Sequence, residues 1–368
     1  MLDKAQASSQ IEEIDRAMRP FVDRGELSGV VTLVADGKKI VHLSALGHRD
    51  LANHLPMEID TIFWIASMTK LVTAVAMMMF QDEGKLSLDD PVAKFIPEFA
   101  KLKTPSGKAA NLTLRRIAAH ASGLGEATKE VFRTAKTLGE LVPSWLSQPM
   151  QFEPGAKWSY CQSGINTMGR IVEILSGQRF EDFVQDRIAG PLGMTDTTFY
   201  PTPSQIERVA EYYAIKEGKL QAVPNTLLAG AMGDRSHYPA ANGGLFSTAG
   251  DYVLFCQMLL SGGSLNGKQY LRPETIREMT RVQTGGIAEV GFVPGSAWGI
   301  GFSLVDKPQG VSAMLSRGSY GHGGAFGTQA WIDPTRQRIY ILLISRTDLK
   351  NSDDSVYRKA FQQMAASI

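Results

Sequence analysis

The residues best suited to chemistry in this 368-residue chain are Ser67 and Lys70, in Ser67-Met68-Thr69-Lys70, at the head of an apolar run from Leu71 to Phe80. Three positions apart on a helix, their side chains share a face, so the amine reaches the hydroxyl. A serine hydroxyl attacks poorly until a neighbouring base takes its proton. The tetrapeptide alone is a weak signal, because a chain this rich in serine and lysine holds about one match by chance. Its weight comes from two further stretches. One is Trp158-Ser159-Tyr160-Cys161-Gln162-Ser163-Gly164, just before a helical pattern, and the other is Gly321-His322-Gly323-Gly324-Ala325-Phe326-Gly327, leading into a strand pattern.

Acyl transfer from a serine needs a proton acceptor for attack and a donor for the leaving group. A lysine near a phenol lowers the phenol's pKa by charge proximity, while desolvation pushes the lysine toward neutrality. Either group could then act as the base near neutral pH. The oxyanion of the tetrahedral intermediate needs aimed N–H donors. Ser67 at a helix N-terminus supplies one, and Ala325, reached through side-chain-free Gly323 and Gly324, supplies a candidate second.

Elements that position these residues follow from pattern. Ile11, Ile14, Met18, Phe21 and Val22 give residues 10–24 helical spacing. The runs Gly29–Ala35 and Lys39–Ala45, joined at Asp36-Gly37, read as a hairpin. The helix beginning at Ser67 is apolar nearly all round, so it should be buried, and it should stop near Gly84. From about 86 to 225 the pattern is mainly helical, with Ile165–Leu175 the clearest helix. After Asn242-Gly243-Gly244 comes a helix at Asp251–Leu260. Strand patterns then follow at Trp298–Leu304, Thr328–Ile332 and Ile339–Ser345, and residues 354–367 close the chain as a helix. The expected fold class is α+β: an antiparallel sheet flanked by helices, built from residues 1–85 and 226–368, with a mainly helical domain, residues 86–225, inserted between them. Ser67 would sit between the two lobes, where small-molecule sites form.

Composition narrows the function. Lys+Arg 38 against Asp+Glu 37 argues for no nucleic-acid partner and no anionic membrane surface. The longest apolar run is about half of a membrane span. The opening Met1-Leu2-Asp3-Lys4-Ala5-Gln6 has no signal region. That predicts a cytoplasmic protein, or a periplasmic or secreted one whose leader has been removed. Cys161 and Cys256 supply neither a disulfide framework nor a metal site. His42, His48 and His54 match no metal-ligand spacing and read as solvated hairpin and loop residues.

Taken in order, Ser-x-x-Lys, a tyrosine motif and a His-x-Gly motif resemble the serine β-lactamase and penicillin-binding-protein superfamily, in its class C-like branch with the family VIII carboxylesterases. Ala119-His120-Ala121-Ser122-Gly123-Leu124, Phe152-Glu153-Pro154-Gly155, Pro191-Leu192-Gly193-Met194 and Gly243-Gly244-Leu245-Phe246-Ser247-Thr248 extend the resemblance over nearly the whole chain. It implies a β-lactamase/DD-peptidase-like fold, with Ser67 as nucleophile, Lys70 as its activating partner and Tyr160 as general base and acid. It also implies Gln162, His322, Gly323 and Gly324 facing substrate, and no metal or other cofactor.

Two positions depart from the pattern. Gln162 stands where the family carries asparagine, and His322 replaces the lysine of Lys-Thr-Gly with a group mostly neutral at pH 7. Both changes lean away from β-lactam turnover. The expected activity is therefore a serine hydrolase forming an acyl-enzyme, acting on short-chain esters with weak β-lactamase activity. Within the same mechanism the alternative is a D-aminopeptidase or DD-peptidase cutting amides; outside it, a non-catalytic binding module. The expected partner is a small-molecule ester, amide or β-lactam, and the sequence leaves the oligomeric state open. His322 is also readable as a structural histidine, Gln162 as a filler between lobes, and Trp298 as a cleft wall or a strand anchor. A Ser-His-Asp α/β-hydrolase is disfavoured, because Gly-x-Ser-x-Gly does not occur.

Overall fold

The computed structural model describes residues 4–228 and 230–368, with side chains from residue 12 onward. Helix α1 (Lys4–Asp23) leads into β1 (Gly29–Ala35), β2 (Ile40–Asp50) and β3 (Leu55–Pro56). The remaining strands of the same sheet come from the far end of the chain: β4 (Ser296–Trp298), β5 (Ser303–Val305), β6 (Tyr320–Gly323), β7 (Gln329–Asp333) and β8 (Arg338–Leu343). They form one eight-stranded sheet in the order β4-β5-β6-β7-β8-β1-β2-β3. Every neighbouring pair is antiparallel, and β1 joins the two chain ends through Val31↔Leu343 and Leu33↔Ile341. The Asp36 carboxylate fixes the β1–β2 turn by accepting from the N–H groups of Lys38 and Lys39, at 2.8 and 2.9 Å.

Side-chain alternation explains why this sheet is covered on both faces. Val31, Leu33, Ile339, Ile341 and Leu343 face the main core. Val30, Val34, Tyr340 and Leu342 face a second core with Ile14 and Met18 of α1 and with the closing helix α5 (Val356–Ala365). Phe21 and Val22 pack beside them; Ile11, assigned to the same face, lies outside the described side chains. On the main-core face lie α4 (Ala249–Leu260), packed on β8, β1 and β7, and α2 (Thr69–Asp82). Helix α2 is buried without interruption from Thr69 to Phe80, and the chain turns away at Gly84 with φ +72°. Between residues 86 and 245 the elements are mostly helices, the longest being α3 (Gln162–Ser176), which packs on α2 and ends at left-handed Gly177. A two-stranded hairpin, Tyr213–Lys216 with Lys219–Ala222, interrupts the helical run.

Two local expectations are corrected. The apolar run Trp298–Leu304 is two strands and a reversal, with Trp298 paired to Ser303. The reversal occurs because Gly301 takes φ +75° against α2, where a Cβ would collide with Ala74. His42 is also not solvated. It is 3% exposed, and its Nε2 lies 2.8 Å from Thr32 Oγ1 on the paired strand.

Candidate active site

Ser67 lies in a 3₁₀ turn, Ala66–Met68, that runs directly into α2. Ala66, just before it, is a non-glycine residue held at φ +47°, a conformation that costs energy and persists only where the surroundings enforce it. One turn along, Lys70 Nζ lies 3.0 Å from Ser67 Oγ and donates to the Asn242 carbonyl at 2.6 Å. The same amine sits 4.6 Å from the centre of the Tyr160 ring. Tyr160 is delivered by the extended residues before α3, and its hydroxyl lies 3.2 Å from His322 Nε2 on β6. The structure thus brings Ser67, Lys70, Tyr160 and His322 together from three separate stretches of the chain.

Burial sets the electrostatics. Lys70 is fully enclosed, and desolvation brings its pKa down to about 7, with the Glu126 charge pulling the other way. Desolvation also pushes the Tyr160 phenol well above its ordinary value; the Ser67 hydroxyl opposes this, while the negative charges of Asp353 and Glu126 add to it. His322 is driven down to about 3 by burial and by the charge of Lys70. Its Nδ1 lies 2.6 Å from the Gly323 carbonyl. A carbonyl only accepts, so Nδ1 carries the ring proton and Nε2 is left as an acceptor for the Tyr160 hydroxyl.

With this geometry in place, comparison with known proteins is decisive about ancestry. A family profile described as Beta-lactamase matches residues 14–364. The chain belongs to the Beta-lactamase family. It is 31% identical over 360 residues to Protein Rv1367c of Mycobacterium tuberculosis (strain ATCC 25618 / H37Rv), covering 89% of this chain and 88% of that protein. It is 26% identical over 382 residues to Esterase EstB of Burkholderia gladioli, covering 94% and 92%. Among solved structures, EstCE1, titled a hydrolase with promiscuous acyltransferase activity, shares the fold with a TM-score of 0.84 at 21% identity, covering 98% and 99%. As a member of this family of serine hydrolases, the chain is a hydrolytic enzyme.

The other residues singled out from sequence fall around that centre in different ways. Gly324 lies against the backbone leading to Ser67: a Cβ there would collide with Thr328 Oγ1 and come 2.7 Å from the Ile65 carbonyl oxygen. Ala325, next along, is exposed. Gly323 is equally confined, since a Cβ would collide with Asp353 Oδ1. Gln162 is half-buried, and its Oε1 accepts from Asn242 Nδ2 at 3.0 Å. Trp298 is fully buried behind Tyr160, against His322 at 5.5 Å between ring centres. Cys161 is a buried cap, accepting from Gly164 N–H at 3.4 Å, with its thiol pushed up to about 12 by burial.

Four contributors escaped sequence reasoning. The Asn242 carbonyl anchors Lys70, a backbone role that leaves no side-chain signal. Glu126 caps α3, its Oε1 accepting from Gln162 N–H at 2.7 Å and its Oε2 from Ser163 N–H at 2.9 Å. His120, at φ +56°, packs its ring 4.5 Å from that of Tyr160 and accepts at Nδ1 from Cys161 N–H. Phe292 covers the same phenol from the opposite loop at 4.8 Å. Only His120 stood in a stretch already noted for its resemblance.

Proposed function

We propose that this chain is a carboxylesterase that hydrolyses short-chain esters through an acyl-enzyme on Ser67. The observation that carries this reading is the 3.0 Å contact between Ser67 Oγ and a buried amine whose pKa is brought down to about 7. About half of such an amine is unprotonated at neutral pH, so it is available to accept the serine proton. Tyr160, held protonated by burial, is suited to give a proton rather than to take one first. This inverts the order of roles that the resemblance implied.

In the proposed cycle, neutral Lys70 takes the Ser67 proton and Oγ attacks the acyl carbon. The N–H groups of Ser67 and Ala325 hold the oxyanion. Collapse expels the alkoxide, which takes a proton from the Tyr160 phenol, and the Lys70 ammonium replenishes that phenol. Water then gives a proton to Lys70, its oxygen attacks the acyl carbon, and the acid leaves as Ser67 regains its proton. His322, with both ring nitrogens engaged, orients the phenol in this scheme.

The ester choice rests on charge. A neutral His322 offers no permanent cation to grip a carboxylate beside β6, and the Gln162 amide oxygen is committed to Asn242. The name of its relative Esterase EstB agrees with that choice. The test is a panel of p-nitrophenyl butyrate, nitrocefin and a D-alanine p-nitroanilide, run with the native chain and Ser67→Ala. The butyrate should turn over fastest and only with Ser67 present; faster turnover of the anilide would replace the esterase reading with a D-aminopeptidase one.

A further inference from the structure

Beside the catalytic cluster, on the far side of Gln162, lies a cavity of about 420 Å³. Its wall connects to the nucleophile: Gln162 bonds Asn242 at 3.0 Å, Asn242 accepts from Lys70 at 2.6 Å, and Lys70 meets Ser67 at 3.0 Å. Glu126 lines the same cavity, and its charge is felt at Lys70. The floor is apolar, from Ala127, Phe132, Leu227 and Leu228, and Leu227 is 54% exposed.

The charges on the rim are arranged unusually. Lys129 and Arg133 sit four residues apart on the helix Lys129–Thr134, so they share one face, and both line the cavity. Like charges at that spacing destabilise a helix, and a cation in the first turn also opposes the helix dipole. Among the described residues neither cation forms an ion pair. The one acid in the wall, Glu126, is already occupied by Gln162 N–H, Ser163 N–H and the Ser163 hydroxyl. The cavity therefore combines an apolar lining with two uncommitted cations, at a size that suits small-molecule sites.

We infer that this cavity binds the acyl side of the substrate and selects acyl chains that end in a carboxylate, that is, monoesters of dicarboxylic acids. The inference rests on the esterase reading and adds a substrate class to it. His322 does not line this cavity, so Lys129 and Arg133 do not supply the permanent cation that is missing beside β6.

The test compares p-nitrophenyl hydrogen adipate, suberate and sebacate with the matching hexanoate, octanoate and decanoate, in the native protein and in Lys129→Gln/Arg133→Gln. The native kcat/KM ratio should favour the carboxylated ester of at least one chain length. Two solvent-exposed ion pairs support a fall in that ratio of roughly ten-fold in the variant, and raised salt should narrow it in the native protein. A ratio unchanged by the substitutions and by salt would overturn the inference. Calorimetric binding of suberate monoamide to Ser67→Ala reads the cavity without turnover: binding that weakens in the triple variant supports the inference, and no binding counts against it. Fluorophosphonate labelling of Ser67, run in parallel, shows separately whether the esterase reading itself has failed.

Discussion

Replacing Lys70 by methionine should make the protein more stable at pH 7 while abolishing its activity. In the unfolded chain the amine titrates at its ordinary value of 10.5; folded, it titrates at about 7, because burial disfavours the charged form. Between those values the unfolded state binds one proton that the folded state does not. Folding stability therefore rises with pH across that window, by about 1.4 kcal/mol per pH unit. Over the whole window the penalty sums to about 5 kcal/mol. It is fully present at and below the lower value and fades as pH approaches the upper one. Methionine removes that penalty but leaves the Asn242 carbonyl without its donor, at about 1–3 kcal/mol. The net expectation at pH 7 is a gain of roughly 2–4 kcal/mol. Urea denaturation of both proteins at half-unit steps from pH 7 to 10 measures this. The advantage of Lys70→Met should shrink steadily and reverse toward alkaline pH. Parallel stability curves would mean that Lys70 keeps an ordinary pKa in the folded protein, and the proposed base would be lost with it.

Tyr160→Phe should lower kcat by roughly 100-fold or more with the fold intact by circular dichroism; combined with Lys70→Met it should cost little beyond the single change, because both serve one proton path. Independent, multiplying losses would separate their roles. His322→Ala deletes the acceptor that holds the phenol, so kcat should fall about ten-fold with KM nearly constant; an effect confined to KM would return His322 to direct substrate contact. Gly324→Ala forces a Cβ against the Ile65 carbonyl oxygen, 2.7 Å away, and against Thr328. It should cost roughly 1–3 kcal/mol of stability and displace the Ala325 N–H, and unimpaired turnover would remove that N–H from the oxyanion site.

The sheet could be read from sequence because its central strands are continuous β-branched and apolar runs, as in β1, where Val30 and Val34 are buried on one face and Val31 and Leu33 on the other. The Ser67–Lys70 pairing was equally readable, since helical spacing alone brings the side chains together. What sequence could not supply was set by contacts between distant segments. Trp298–Leu304 alternates large apolar residues with glycine and serine, yet Gly301 packs against α2 and folds the run back on itself. His42 looks polar and solvated until its side-chain contact with Thr32 on β1 is seen. Lys70 and Tyr160 were recognisable as a pair, but only their shared burial shows which titrates near neutrality, because desolvation lowers the amine and raises the phenol. His322 remained ambiguous until the Gly323 carbonyl determined which ring nitrogen holds the proton.

The central claim, that Ser67 is activated by a buried neutral amine, is tested most directly by the pH dependence of its phosphonylation by a neutral fluorophosphonate, with the modified peptide identified by mass. The rate should rise with pH through a midpoint near the Lys70 value of about 7, with the label on Ser67. A midpoint near that of an ordinary lysine, or a label carried elsewhere, would contradict the account.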